Sequence, residues 1–215
     1  LHYLPLDPAR VDVIHHGVKE LFTLARGAGP SPDAYVLFVG EPELRKGVAT
    51  LMEAMSLLPS AMREATELVI AGATGQYPLP PTPDSVRLRN VGWVDDETLA
   101  SLYAGARAFI YPSQYEGFGL PMIEAMACGT PVIASDAPGL REAGGPAALY
   151  VPPGDAQALA KAIEAVLDDA ALAAGLRERG FRRAKELSWD ETAHKTLAVI
   201  ERAVTEGSAA GTGPA

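Results

Sequence analysis

The sequence predicts an α/β fold, a Rossmann-like, doubly wound, mostly parallel sheet. Three observations carry that expectation. Short apolar runs at residues 35–39 (YVLFV), 67–71 (ELVIA) and 108–111 (AFIY) have the character of strands buried on both faces. Segments with helical spacing separate the runs, as βαβ crossovers require. Each run closes on Gly40, Gly72 or Pro112, where the chain leaves the sheet.

The elements follow in order. Residues 11–17 (VDVIHHG) read as an isolated apolar strand ending in a turn, and residues 25–34 (ARGAGPSPDA) as a linker crowded with Gly, Pro and Ser. The strand at 35–39 leads to a helix from about 47 to 58, with Val48, Leu51, Met52, Met55 and Leu58 at helical spacing. After the strand at 67–71 comes a Pro- and Gly-rich surface loop, then a third strand at 86–91 (VRLRNV). Asp95 and Asp96 are N-cap candidates for a helix to about Gly105. A fourth strand covers 108–111, a helix 120–128, a fifth strand 131–134 and a sixth 147–151. Asp155 can cap a helix to Leu167, and another follows to about Lys185. Ser188 and Glu191 make a capping-box pattern that opens a last helix to about Val204. The tail, residues 205–215, offers nothing to pack and is expected to be disordered.

Composition narrows the classes. A chain of 215 residues favours one domain and can bury about 70% of its unfolded surface without disulfides or metals. Its 18 basic and 27 acidic residues give a net charge of −9, which works against nucleic-acid binding. A small anionic ligand is still compatible, since a helix N-terminus and a few cations can hold one. The single cysteine, Cys128, excludes a disulfide framework and a cysteine-based zinc site, and fits a reducing compartment. His2, His15, His16 and His194 form no metal-ligand spacing. No apolar run of membrane-spanning length occurs, and the first residues lack signal-peptide character. The start at Leu1 suggests a fragment.

The chemistry concentrates in residues 111–133, YPSQYEGFGLPMIEAMACGTPVI. A strand runs into a glycine-punctuated loop and then a helix with Pro121 in its first turn. Gly117 and Gly119 let the backbone approach a ligand closely. Free N–H groups at the helix start, at the carboxyl edge of a parallel sheet, suit a diphosphate. Glu124 has Met122, Ile123, Ala125 and Met126 around it, so its charge needs a hydrogen-bonding partner. A ribose diol would serve. Glu116, in the loop, could accept bonds from sugar hydroxyls or balance developing positive charge.

This string resembles the Glu-x7-Glu motif of the family 4 retaining glycosyltransferases of GT-B fold. Glu116 and Glu124 match its spacing, and EAMACGTPVIAS is similar to its continuation. LFVGEPELRKG, VGWVDDETLASLYAGA and ALYVPPGDAQALAKAI resemble other family segments, in order, so the likeness runs roughly from Tyr35 to Val204. The resemblance implies the C-terminal, donor-binding half of a two-domain enzyme. It implies a retaining, metal-independent transfer of a sugar from a UDP-, GDP- or ADP-linked donor to an acceptor sugar, lipid or small molecule, with no other cofactor. Glu124 would bind the ribose hydroxyls, and Glu116 the donor sugar. Gly117, Phe118, Gly119 and Leu120 would contact sugar or phosphate through the backbone, and Val94 would lie beside the base. Lys46 would neutralise the diphosphate as an electrostatic catalyst.

By the same likeness, residues 1–24 are a crossover from a missing N-terminal domain, 35–187 the binding domain, and 188–204 a helix packing back toward that partner. The enzyme would be cytoplasmic, peripheral at a membrane through the missing domain if at all, and this half alone inactive. Many members carry Arg after the glycine of the first strand; here Glu41 stands there, and Arg45 beside Lys46 could compensate. His15 and His16 would belong to a hinge, Cys128 would be a small buried hydrophobe, and Trp189 would pack the last helix. Two alternatives stay open: a degenerate nucleotide-binding or regulatory domain, and a nucleotide-sugar epimerase.

Overall fold

The computed structural model describes residues 7–25 and 34–210, so most of the expected linker and the last five tail residues lie outside it. Six strands form one sheet: β1 (Tyr35–Val39), β2 (Glu67–Ala71), β3 (Leu88–Gly92), β4 (Ala108–Tyr111), β5 (Val132–Ser135) and β6 (Ala148–Val151). All pair in parallel, in the order β3-β2-β1-β4-β5-β6. The chain works outward from β1 in one direction and then resumes at β4 on its other side. That reversal places a crevice at the carboxyl ends of β1 and β4.

The apolar runs take the centre of the sheet. Val36, Leu37, Phe38, Phe109, Ile110, Val132 and Ile133 are wholly buried. β3, at an edge, carries the exposed Arg89 and Asn90, and Arg89 pairs with Glu67 of β2 at 2.7 Å.

Nine α-helices accompany the strands among the described residues: α1 (Glu20–Leu24), α2 (Val48–Leu57), α3 (Ser60–Ala65), α4 (Asp96–Gly105), α5 (Leu120–Cys128), α6 (Pro138–Gly144), α7 (Ala156–Asp168), α8 (Ala170–Glu186) and α9 (Trp189–Ala210). α2 packs on α7, while α5 packs against α1, α4, α6 and α8. The sheet is covered on both faces, as a run of wholly apolar strands demands. The expected caps form. Asp95 accepts from the Thr98 N–H at 2.8 Å, and Asp155 from the Ala158 N–H at 2.9 Å. Arginines of α8 satisfy carbonyls that end other elements: Arg177 bonds Gly129, Arg179 bonds Pro146, and Arg183 bonds Ala143 and Glu142.

The chain divides into two compact units, Val18–Glu186 and, together, Leu1–Gly17 with Leu187–Ala215. The sheet-bearing unit therefore starts at Val18, well before the boundary expected at 35. In the other unit, Ser188 Oγ accepts from the Glu191 N–H at 3.1 Å, half of the capping box. The Glu191 carboxylate turns to Lys195 instead. Thr192 donates to the His15 carbonyl at 2.7 Å, His16 meets the Trp189 ring edge-on, and Arg202 pairs with Asp12. A Cβ on Gly17 would lie 2.1 Å from the Trp189 nitrogen, so only glycine fits there.

Three expectations are corrected. Residues 11–17 form no strand and pair into no sheet, because an apolar run without a ladder partner is not a strand. The tail is helical through Ala210, an extension of α9, where disorder was expected from 205 onward. The short helices α1, α3 and α6 were not anticipated. Among the described residues, no helix is long and apolar enough to cross a membrane.

Candidate functional site

The two loops at the β1–β4 crevice are stitched together by backbone. Beyond β1, residues Leu44–Lys46 form a 3-10 turn closed by Gly47 at φ +69°. A Cβ on Gly47 would sit 2.2 Å from the Pro112 carbonyl oxygen, so the position after β1 presses directly on the position after β4. The Gln114 N–H donates to the Arg45 carbonyl at 2.7 Å.

Across this seam, 70 residues apart in sequence, Lys46 Nζ lies 2.6 Å from Glu116 Oε1 and donates to the Tyr111 hydroxyl at 3.0 Å. Both side chains of the ion pair are largely buried, at 12% and 10% exposure. Arg45 reaches the same carboxylate oxygen at 3.3 Å while its Nε donates to Glu43 at 2.8 Å. Burial pushes the Glu116 carboxyl up. The hydrogen bond and charge of Lys46, with the Ser113 and Tyr111 hydroxyls, together outweigh it, and the net shift is downward. Ser113 Oγ is fully buried and makes no hydrogen bond of good geometry, although it stands close to this carboxylate.

The loop then enters α5 through Gly119, at φ +97°, a left-handed cap that only glycine adopts cheaply. No side chain caps this helix start; in its first turn Pro121 has no N–H, and the Met122 N–H donates to the Gly119 carbonyl at 3.0 Å. A Cβ added to Gly117 would meet nothing within 4 Å, so its lack of a side chain answers no internal packing need. Gly139 of α6 is different: its Cβ would lie 2.3 Å from the Glu116 carbonyl oxygen, so α6 sets the position of the loop from behind.

Glu124 is not part of the Lys46 cluster. Its Oε2 accepts from the Tyr103 hydroxyl of α4 at 3.2 Å. Burial raises its carboxyl above the ordinary value, the Tyr103 bond and the charge of Lys19 oppose that, and Asp96 reinforces it. An aromatic row joins the two regions: Tyr103 meets Phe109 edge-on at 5.4 Å, and Phe109 stacks on Tyr111 at 5.5 Å. Val94 lies between the end of β3 and the start of α4, on the loop that also exposes Trp93. Leu44 and Tyr115 are likewise exposed on the loops of this edge.

The sequence-derived residues thus fall into three groups. Arg45, Lys46, Glu116 and the loop of Gly117, Phe118, Gly119 and Leu120 belong to one cluster. Glu124 sits deeper on α5 and Val94 on a neighbouring loop. Glu41 hydrogen-bonds in another direction. Its Oε1 accepts from the N–H of Thr74 at 2.9 Å and from the Thr74 hydroxyl, tying the β1 loop to the β2 loop. Its Oε2 is buried without a partner. Sequence reading missed Tyr103, Tyr111, Ser113 and Gly139. Tyr111 and Ser113 flank the end of β4 and were accessible to the strand-end rule; Tyr103 and Gly139 reach the site only through tertiary contact. Cys128 is buried as expected, donates to the Phe22 carbonyl, and burial pushes its thiol up to about 12.

Residues 25–183 match the family described as Glycosyl transferases group 1. The chain is 38% identical to O-antigen chain mannosyltransferase B of Escherichia coli over 76% of its own length and 44% of that protein. It is 33% identical to the D-inositol 3-phosphate glycosyltransferase of Jonesia denitrificans, over 91% of this chain and 52% of the relative. Among solved structures, sucrose-phosphate synthase from Thermosynechococcus elongatus superposes with a TM-score of 0.70 at 33% identity, over 89% of this chain and 50% of that one. The chain spans about half the length of the relatives it matches.

Proposed function

The chain belongs to the group 1 glycosyl transferases, and from that premise we propose that it is the donor-binding half of a retaining glycosyltransferase using a nucleoside-diphosphate sugar. The observation that carries the reading is the buried Lys46–Glu116 pair at the β1–β4 crevice, next to a helix start with no side-chain cap. Lys46 and the backbone of the loop that enters α5 would meet the diphosphate, stabilising the charge that develops on the leaving group without a metal. Arg45 would add a second cation. Glu116, held ionised by Lys46, would accept from sugar hydroxyls and balance positive charge at the transferring carbon. Glu124, steadied by Tyr103, would accept from the ribose hydroxyls, and the backbone around Val94 would lie against the base.

The missing phosphate-binding Arg at position 41 does not oppose this reading. Glu41 is engaged with Thr74, and Arg45 already stands on the carboxylate that Lys46 holds. An N-terminal domain carrying the acceptor site, for a sugar, lipid or small molecule, would close over the exposed Leu44, Trp93 and Tyr115. On α9, Leu197 and Ile200 are 53% and 55% exposed, three residues apart on one face, and suit packing against that same domain.

Calorimetry with UDP, GDP and ADP tests the proposal. One of the three should bind, while this half alone should transfer sugar little or not at all. Absence of binding at millimolar concentration favours a degenerate domain that kept the fold. Conversion of the donor sugar without acceptor favours an epimerase.

A further inference from the structure

The Lys46 ammonium has three hydrogens to place and no acceptor of its own. Glu116 Oε1 takes one at 2.6 Å, and the Tyr111 hydroxyl takes a second at 3.0 Å. Among the described residues Lys46 makes no other hydrogen bond, so a third N–H remains for a ligand. A lysine head is a point charge on a flexible stem, and one bond to Glu116 would let it turn about that contact. Two bonds to fixed partners set the direction of the third.

Tyr111 is such a partner. It ends β4 and is buried, with its ring stacked on Phe109 at 5.5 Å. Its Cε1 lies 3.6 Å from where a Cβ on Gly119 would stand, so the ring is held between the sheet and the entry to α5. Burial, above all, keeps the phenol well above its ordinary value, and the hydroxyl retains its proton. Accepting from Lys46 leaves that proton to donate, and the Glu116 carboxylate gains from it. Packing alone does not call for the hydroxyl. A phenylalanine would bury the same ring against Phe109 with no polar atom to satisfy. What the oxygen adds is a second anchor for Lys46.

We infer that Tyr111 is a positioning residue of the donor site: its hydroxyl holds the Lys46 ammonium from a second side and turns the remaining N–H toward the diphosphate. The inference rests on the donor-binding reading above. It carries the anchoring of the phosphate site from the two surface loops down into a core strand.

The test is a double-mutant cycle on nucleotide affinity, measured on the full chain with whichever of UDP, GDP and ADP binds best. Tyr111→Phe keeps the ring and removes the hydroxyl alone. It should weaken binding of the nucleoside diphosphate about two- to tenfold. Affinity for the corresponding nucleoside, which carries no phosphate and is followed by NMR, should stay as it was. In a Lys46→Met background, where no ammonium is left to aim, the same exchange should leave diphosphate affinity unchanged. If that background no longer folds, the comparison of nucleoside with nucleoside diphosphate decides alone. A hydroxyl that serves only packing would lower the urea midpoint of Tyr111→Phe and leave diphosphate affinity unmoved, which overturns the inference. An equal loss for the nucleoside, or an equal loss with and without Lys46, overturns it too. If folded Lys46→Met binds the nucleotide as tightly as the unaltered chain, or no nucleotide binds, the donor-binding reading itself fails.

Discussion

Glu116 and Glu124 stand eight residues apart on one strand–loop–helix segment, yet the fold gives them opposite surroundings. Glu116 meets Lys46 at 2.6 Å and Arg45 at 3.3 Å, and its carboxyl is drawn below the ordinary value. Glu124 meets a tyrosine hydroxyl at 3.2 Å within apolar neighbours, and its carboxyl is pushed up. The difference comes from who supplies the neighbours. The β1 loop brings cations to the carboxylate in the loop, whereas α4 brings a phenol to the one on the helix. One becomes a fixed anion beside a fixed cation; the other becomes an acceptor whose ionisation depends on what lies nearby.

Substitution can break this contrast, and Lys46→Met should do so most strongly. It leaves a largely buried carboxylate without its main partner and should cost about 3 kcal/mol of stability, near the low end for such a pair because Arg45 remains. Glu124→Gln should change stability by no more than about 1 kcal/mol, because the amide oxygen can still accept from Tyr103. Urea denaturation of the two variants gives the comparison, and equal losses would dissolve it. Next in size is Gly139→Ala, whose Cβ would meet the Glu116 carbonyl oxygen at 2.3 Å. A displaced loop should cost about 1–3 kcal/mol and weaken nucleotide binding, while the Tyr103–Glu124 contact stays intact. Thermal denaturation with calorimetry separates the two effects.

The pH response sharpens the contrast through its sign. With its folded pKa lowered, Glu116 contributes stability that is full above the unfolded carboxylate range and is lost as pH falls through the folded value. With its folded pKa raised, Glu124 does the reverse: stability falls as pH rises from the unfolded value through the folded one. Melting temperatures across the acid range should therefore lose their steepest fall in Glu116→Gln and gain at neutral pH in Glu124→Gln. Gly117→Ala should have the smallest effect on stability, within about 0.5 kcal/mol, since the added methyl meets open space. Its nucleotide affinity should nonetheless drop if the backbone there approaches a ligand, and titration calorimetry will show whether it does.

Local patterns were legible because they are set by neighbours in sequence. The buried runs of β1, β2 and β4, the caps at Asp95 and Asp155, and the full span of α5 could be read from spacing and residue type. Residues 11–17 looked like a strand for the same local reasons, but the partner that makes a strand is a property of the whole fold. α6 begins Pro138–Gly139, a turn signal by composition that proves to be a helix start braced against the Glu116 loop. α9 continues past Val204 although Gly and Ser in its last turns have low helix propensity. At the site, both glutamates and Lys46 stood out by motif, whereas their pairing did not. Lys46 finds Glu116 over 70 residues, Lys19 finds Asp96 over 77, and Glu41 finds Thr74 over 33. Glu41 shows the consequence best. Alone in the sequence it reads as a lost phosphate ligand, and in the fold it is a latch between two loops.

Backbone amide shifts followed by NMR during titration with UDP, GDP or ADP test the central claim most directly. Binding at the β1–β4 crevice predicts perturbations concentrated in residues 45–47, 94–96 and 117–124. Perturbations confined to other surfaces, such as the arginine-bearing side of α8, with residues 117–124 unmoved, would contradict it.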